Sequence, residues 1–290
     1  MLLNEYLRHK YGCKVYKLAL NGGFTCPNRD GTIDTRGCIF CSEGGSGEFT
    51  PDPKLSITEQ IERAKEKVAK KIANGKYIAY FQAFTGTYAP VERLKTLYTE
   101  AINHPDVVAL SIATRPDCLP DEVLDLLSEC NTIKPIWVEL GLQTVHEKSA
   151  RYIRRGYELP IYSEAVKKLR SLNIEVITHV IIGLPGEAKE DILDTVRYVC
   201  GSGATGIKLQ LLHILKGTDL EKEYREGKLR ILSEDEYIDI LKECVNVIPD
   251  NIVIHRLTGD GDKKLLVAPL WSADKKHVWN RIQKEVLDHI

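Results

Sequence analysis

Hydrophobic and polar positions alternate between two periods along most of the chain. The run KVYKLAL, ending at Leu20, alternates as a strand and stops at the turn signal Asn21-Gly22-Gly23. Ser56 and Glu59 form a capping box that predicts a helix to about Ile72, closed by Asn74-Gly75. A strand YIAYFQA begins at Tyr77. Pro90 then opens a helix whose Val91, Leu94, Leu97 and Ala101 recur at helical spacing. The same succession continues with strand VVALSIA from Val107, a helix from Pro120, strand IWVELGL from Ile136, and helices over 146–153 and 160–172. Strand IEVITHVII from Ile174, a helix over 187–200 and strand GIKLQLLHI from Gly206 complete it.

Six strands with near-continuous apolar runs, most separated by helices, predict a parallel sheet covered on both faces. That is an α/β chain, either a parallel barrel or an open doubly wound sheet. Beyond His213 the pattern changes to a charged stretch at 221–228, a helix capped by Ser233 and Glu236, the short apolar run IVIHRL and a final helix. We expect a core over 1–215 and an extension over 216–290 that packs on it. The chain has no internal repeat and no Gly/Ser linker long enough to separate domains.

Composition narrows the class. With 43% hydrophobic and 28% charged residues, the 290-residue chain reads as globular, not disordered. No apolar stretch reaches eighteen residues, and the start MLLNEYLRHKYG carries charge too early for a signal peptide, so no membrane is expected and the location is expected to be cytoplasmic. A formal net charge of −1 supplies no global field for nucleic acid, so any such partner needs a local patch.

Eight cysteines in a chain of this kind read as metal ligands, redox groups or small buried hydrophobes. Cys200 and Cys244 sit in apolar helical patterns and read as buried thiols. Cys26, Cys38 and Cys41 fall together in a loop that also carries Gly31, Gly37, Gly44, Gly45 and Gly47. Three thiolates wrapped round a [4Fe-4S] cluster would leave one iron open for chemistry. Zinc bound by Cys38-x-x-Cys41, Cys26 and Cys13 satisfies the same spacing, so spacing alone leaves both open. The loop follows the first strand of a repeated βα pattern, where barrel enzymes place their chemistry.

The segment FTCPNRDGTIDTRGCIFC resembles the cluster loop of the radical S-adenosylmethionine superfamily, in the branch of the elongator catalytic subunit that includes the bacterial YhcC and YtqA proteins. The similarity runs from about Tyr6 to Trp271. Eleven residues separate Cys26 from Cys38, where the wider superfamily has three; the long spacing belongs to this branch. The resemblance implies a partial (β/α)6 TIM-type barrel with a C-terminal extension, a [4Fe-4S] cluster on Cys26, Cys38 and Cys41, and S-adenosyl-L-methionine (SAM) as cofactor. It also implies reductive cleavage of SAM to a 5′-deoxyadenosyl radical, with electrons from a donor that the sequence does not identify.

The resemblance further implies SAM contacts. Phe40 matches the aromatic that packs near the adenine, and Thr85-Gly86-Thr87 matches the segment that meets the methionyl amino group. Gln143 and Arg155 match residues that bind ribose and carboxylate in oxygen-independent coproporphyrinogen oxidases; His179 stands where those enzymes have an acid. Arg115 matches the TRPD of the elongator relatives. Each has a plainer reading: a core aromatic, a strand-to-helix turn, a satisfied core histidine, a surface ion pair. Glu139, inside a strand predicted to be buried, needs a partner for its charge.

For substrate, similarity to the YtqA branch implies transfer RNA, with 5-carboxymethylaminomethyl wobble uridine converted to 5-aminomethyl uridine. The segment RYIRRGY, with Arg151, Tyr152, Arg154, Arg155 and Tyr157, and the tail LTGDGDKKLLVAPLW with Lys275 and Lys276 are candidate contacts. A solvated helix end explains RYIRRGY equally well. The alternatives are a radical enzyme acting on a tetrapyrrole or small metabolite, and a non-catalytic, zinc-stabilised RNA-binding protein.

Overall fold

The computed structural model describes residues 1–72, 75–259 and 261–288, with only the backbone of Lys71. The expected stop at Asn74, and Asp260 in the tail, lie outside the described residues. The chain opens with helix α1 (Leu3–Tyr11), which the hydropathy pattern did not announce because it buries only Leu7. Strand β1 (Val15–Leu20) follows. The cysteine loop then leads to α2 (Ile57–Val68), whose capping box forms as expected: Glu59 N donates to Ser56 Oγ at 3.2 Å and Ser56 N to Glu59 Oε2 at 2.9 Å.

Strands and helices then alternate: β2 (Lys76–Phe81), α3 (Val91–Asn103), β3 (Val107–Thr114), α4 (Asp121–Ile133), β4 (Ile136–Gln143), α5 (Glu147–Tyr152), α6 (Leu159–Ser171), β5 (Glu175–Ile182), α7 (Lys189–Gly201) and β6 (Gly206–Leu211). The C-terminal part adds β7 (Ile214–Leu215), α8 (Asp219–Arg225), α9 (Glu234–Asn246), β8 (Val253–Arg256), β9 (Leu266–Ala268) and α10 (Lys275–Ile282). The run IVIHRL becomes β8, which pairs in parallel with β6. The main sheet is therefore seven-stranded and parallel, in the order β1-β2-β3-β4-β5-β6-β8. Its two end strands do not pair as strands; an isolated bridge from Leu2 to Ile254 closes the base. This is the expected partial barrel. The two short strands β7 and β9 pair antiparallel and are too brief to leave a periodic signal.

Two-residue alternation sorts the strands into an outer and an inner face. Outer residues such as Leu18, Phe81, Leu110, Val138, Val176 and Leu209 join Ile61, Leu94, Leu127, Val166, Val196 and Leu241 of the covering helices in the main core. The inner face is layered. Val15, Ile78, Ala109, Trp137 and Ile177 make an apolar floor sealed by Leu7 of α1. One pleat higher come Lys17, Tyr80, Ser111, Glu139, His179 and Lys208, and above them opens a cavity of about 210 Å³. Among the described residues no helix is long and apolar enough to cross a membrane.

Candidate active site

The cavity lies at the C-terminal ends of the strands, and Cys26, Cys38 and Cys41 line it together with Phe40, Thr85, Arg115, Gln143, Arg155 and His179. The cysteine loop is held by its own backbone. Arg29 N and Asp30 N donate to Cys26 O, Gly37 N to Asn28 O at 2.7 Å, and Cys41 N to Cys38 O at 3.0 Å. Arg29 donates to the carbonyls of Cys41, Ser42 and Glu43, with its guanidinium 5.6 Å from the Phe84 ring centre. Asn28 Nδ2 lies 3.5 Å from Cys38 Sγ and donates to Arg154 O at 2.8 Å, tying the loop to the segment before α6. Ile39, packed with Ile153, Ile181 and Leu212, anchors it to the upper wall.

Cys26, Cys38 and Cys41 all line this cavity, while elsewhere Glu62, His104 and Asp106 bring ligand atoms within 4.8 Å of one another. Three thiolates gathered at one cavity fit ligands that reach different irons of a cluster. Burial raises the thiol of Cys38 and pushes Cys41 up to about 12, the neighbouring sulfurs adding to the effect, so both are protonated at neutral pH until a cationic centre displaces the protons. Cys13 precedes β1 and packs beside Leu7, Val15 and Trp137 at the opposite end of that strand. It is therefore remote from the loop. The Glu62–His104–Asp106 group is already occupied by Lys65, whose ammonium donates to both carboxylates at 2.8 Å.

The remaining residues singled out from sequence divide into three settings. Gln143 ends β4 with φ +71°, and its buried Oε1 has no hydrogen-bond partner among the described residues. An unsatisfied buried acceptor on a cavity wall fits a ligand that donates. Gly86 approaches Ala113 so closely that a Cβ would stand 2.7 Å from that carbonyl oxygen. Thr85 faces the cavity, whereas Thr87 faces a neighbouring one and bonds Thr114 Oγ1 at 2.6 Å and the carbonyl of Cys118.

Arg115 and Arg155 both stack against Tyr157, at 5.3 and 4.6 Å from its ring centre. Arg115 makes a bidentate pair with Asp117 at 2.9 and 2.7 Å and donates to Arg155 O at 2.8 Å. Arg155, only 2% exposed, donates to Thr144 O, Tyr157 O and Glu147 Oε1 at 2.7–3.0 Å. Arg154 pairs with Asp219 and Tyr152 OH donates to Glu223, so Arg151 is the one exposed cation of RYIRRGY.

Glu139 finds the partners its charge requires. It is fully buried and accepts from Ser111 Oγ at 2.6 Å, His179 Nε2 at 2.8 Å, and the ammoniums of Lys17 and Lys208. Burial alone would raise its carboxyl; Lys17 and Lys208 outweigh that and hold it well below the usual range. Burial, with Lys208 adding to it, pulls His179 down to about 4, so the imidazole is neutral and donates through Nε2. Sequence reasoning marked Glu139 and His179 but missed Lys17, Tyr80 and Lys208. The signal available was a lysine inside each of two apolar strands, KVYKLAL and GIKLQLLHI.

Comparison with known proteins places this chain in a family. Residues 31–199 match the Radical SAM superfamily and residues 204–287 the Radical SAM C-terminal domain. The protein YtqA of Bacillus subtilis is 47% identical over 284 residues, covering 98% of this chain and 88% of that one. More distantly, the tRNA uridine(34) acetyltransferase of Dehalococcoides mccartyi is 25% identical over 223 residues, 71% of this chain but 48% of its own length. Among solved structures, the archaeal Methanocaldococcus infernus Elp3 superposes with a TM-score of 0.69 at 16% identity, over 93% of this chain and 63% of that longer one.

Proposed function

The chain belongs to the radical SAM superfamily and is an enzyme, and from that premise we propose that it holds a [4Fe-4S] cluster on Cys26, Cys38 and Cys41, binds SAM in the same cavity and acts on transfer RNA. The observation that carries the reading is three cysteines lining one cavity at the C-terminal ends of a parallel sheet. When bound, the cluster supplies the electron that cleaves SAM to a 5′-deoxyadenosyl radical.

The protein's own residues position and enclose. Asn28 and Arg29 keep the loop in shape. Gln143 accepts from a ribose hydroxyl or the methionyl amine, and Phe40 and Thr85 wall the adenosyl and methionyl ends. Gly86 lets the backbone come close, and Thr87 braces that turn. Arg115 and Arg155 present a cationic wall made rigid by Asp117, Glu147 and Tyr157. His179 enters as a neutral donor, already committed to Glu139.

Transfer RNA is supported by the relative named for uridine 34, and by basic residues at the rim. Lys263, Lys275 and Lys276 line one shallow concavity, and Lys275 stands 5.7 Å from the ring centre of Phe49 in the cysteine loop. The conversion we propose, in the cytoplasm, is removal of the carboxymethyl unit from 5-carboxymethylaminomethyl wobble uridine: loss of a hydrogen atom and an electron from its methylene would give an imine that water hydrolyses to 5-aminomethyl uridine and glyoxylate, with SAM as the net oxidant and a separate donor supplying the priming electron. Anaerobic reconstitution tests the chemistry: about four irons per chain and 5′-deoxyadenosine formation are expected, and a colourless protein with one zinc refutes it. Nucleoside mass analysis of transfer RNA from cells lacking the gene tests the substrate; an unchanged wobble-uridine profile refutes it.

A further inference from the structure

Lys208 is a buried ammonium, 4% exposed, in the middle layer of the barrel interior. It donates to Glu139, and its Nζ lies 3.3 Å from Tyr80 OH. Glu139 already accepts from Lys17, Ser111 and His179, so its two oxygens are saturated by four donors. A single carboxylate thus faces two lysines, and the second brings charge that Glu139 does not need.

The position of that surplus is specific. Lys208, Tyr80, Gln82 and Arg256 line both the cavity that the three cysteines share and a second cavity on the open side between β1 and β8. The second cavity is also lined by Arg8, Lys14 and Lys17, with no Asp or Glu among its described lining residues. In the first, Arg115 and Arg155 are answered by Asp117 and Glu147, while Glu139 is the one acidic lining residue. Where the two cavities meet, Lys208 and Tyr80 are withdrawn from water, which strengthens an ion pair between the ammonium and a guest anion.

We infer that Lys208, backed by Lys17 and Glu139, is the anion subsite that receives the carboxylate of the substrate. The inference rests on the transfer RNA reading and makes Lys208 a specificity-determining residue within it. A carboxylate fits because an ammonium with two of its three N–H groups engaged has one left to offer inside an enclosed space.

Equilibrium dialysis of the anaerobically reconstituted enzyme with SAM present, using the free nucleosides 5-carboxymethylaminomethyluridine and 5-aminomethyluridine, tests it. We expect the wild type to bind the acidic nucleoside about tenfold or more tighter than the amine. Lys208→Met should abolish the preference and Lys208→Arg retain part of it. SAM affinity should stay within about twofold in both variants, since a tenfold loss there is about 1.4 kcal/mol and would assign the anion to the cofactor instead. Equal binding of the two nucleosides by the wild type, which needs no variant, overturns the inference, as does a preference that survives Lys208→Met. Turnover of transfer RNA without nucleoside preference sinks the subsite alone. Preference without turnover sinks the transfer RNA reaction and leaves the subsite standing.

Discussion

Asn28 donates its side-chain amide to the backbone carbonyl of Arg154 at 2.8 Å, across 126 residues of sequence, while the same nitrogen stands 3.5 Å from Cys38 Sγ. One buried amide thereby couples the cysteine loop to the segment that carries Arg155. Asn28→Leu removes that donor and leaves the Arg154 carbonyl with only the weak Cys38 thiol at 3.6 Å, at a cost of about 1–3 kcal/mol. We expect a lower urea midpoint for the apoprotein and faster loss of iron from the reconstituted one, read as iron per chain over time. Retention of iron at the wild-type rate would remove Asn28 from the ligand scaffold.

Single Cys26→Ala, Cys38→Ala and Cys41→Ala variants should each lose most of the iron and all 5′-deoxyadenosine formation. Cys13→Ala should keep both, because Cys13 packs at the opposite end of β1. Iron analysis and product chromatography under anaerobic conditions check this. A Cys13 variant that lost iron would contradict the ligand set.

Glu139→Gln leaves the buried Lys208 and the half-buried Lys17 without their counter-ion, which costs about 3–5 kcal/mol. A lowered thermal midpoint is expected. The double variant Glu139→Gln with Lys208→Met should recover part of the loss, since one of the stranded charges goes with it. A single variant as stable as wild type would show that the cluster is not buried in solution.

Burial pulls Lys208 down to about 7; Glu139 opposes the shift, while Lys17 and Arg256 add to it. The groups that face it are Lys17 on β1, Tyr80 on β2, Ser111 on β3, Glu139 on β4, His179 on β5, and His255 and Arg256 on β8. Burial keeps Tyr80 and His255 uncharged through neutral pH. An anion binds the protonated ammonium, so affinity for the acidic nucleoside should be full below about pH 7 and fall as pH rises through it. Dialysis at pH 6 and 8.5 checks the sign; affinity that rises with pH is incompatible with it.

Gly86→Ala would place a Cβ 2.7 Å from the Ala113 carbonyl oxygen and push the loop after β2 away from β3. Overpacking of this kind costs about 1–3 kcal/mol. A reduced denaturation midpoint with a larger Kd for SAM is expected. Unchanged SAM affinity would confine Gly86 to stability.

The alternating periods of the chain sufficed for the parallel α/β architecture, because strand and helix repeats depend on local side-chain direction. They also sufficed for the two capping boxes and for the grouping of Cys26, Cys38 and Cys41, which are close in sequence. Helix α1 escaped, since one buried leucine makes no period. Membership of β8 in the main sheet escaped too, because pairing of β6 with β8 is a contact across 47 positions. Only the tertiary structure turned Tyr152, Arg154 and Arg155 inward, replacing an apparent RNA-facing stripe by internal bonds to Glu223, Asp219, Thr144 and Glu147. It alone also brought Lys17, Glu139, His179 and Lys208 into one layer. A buried charge can be recognised one strand at a time, but its partner is fixed by the register between strands, which no local pattern encodes.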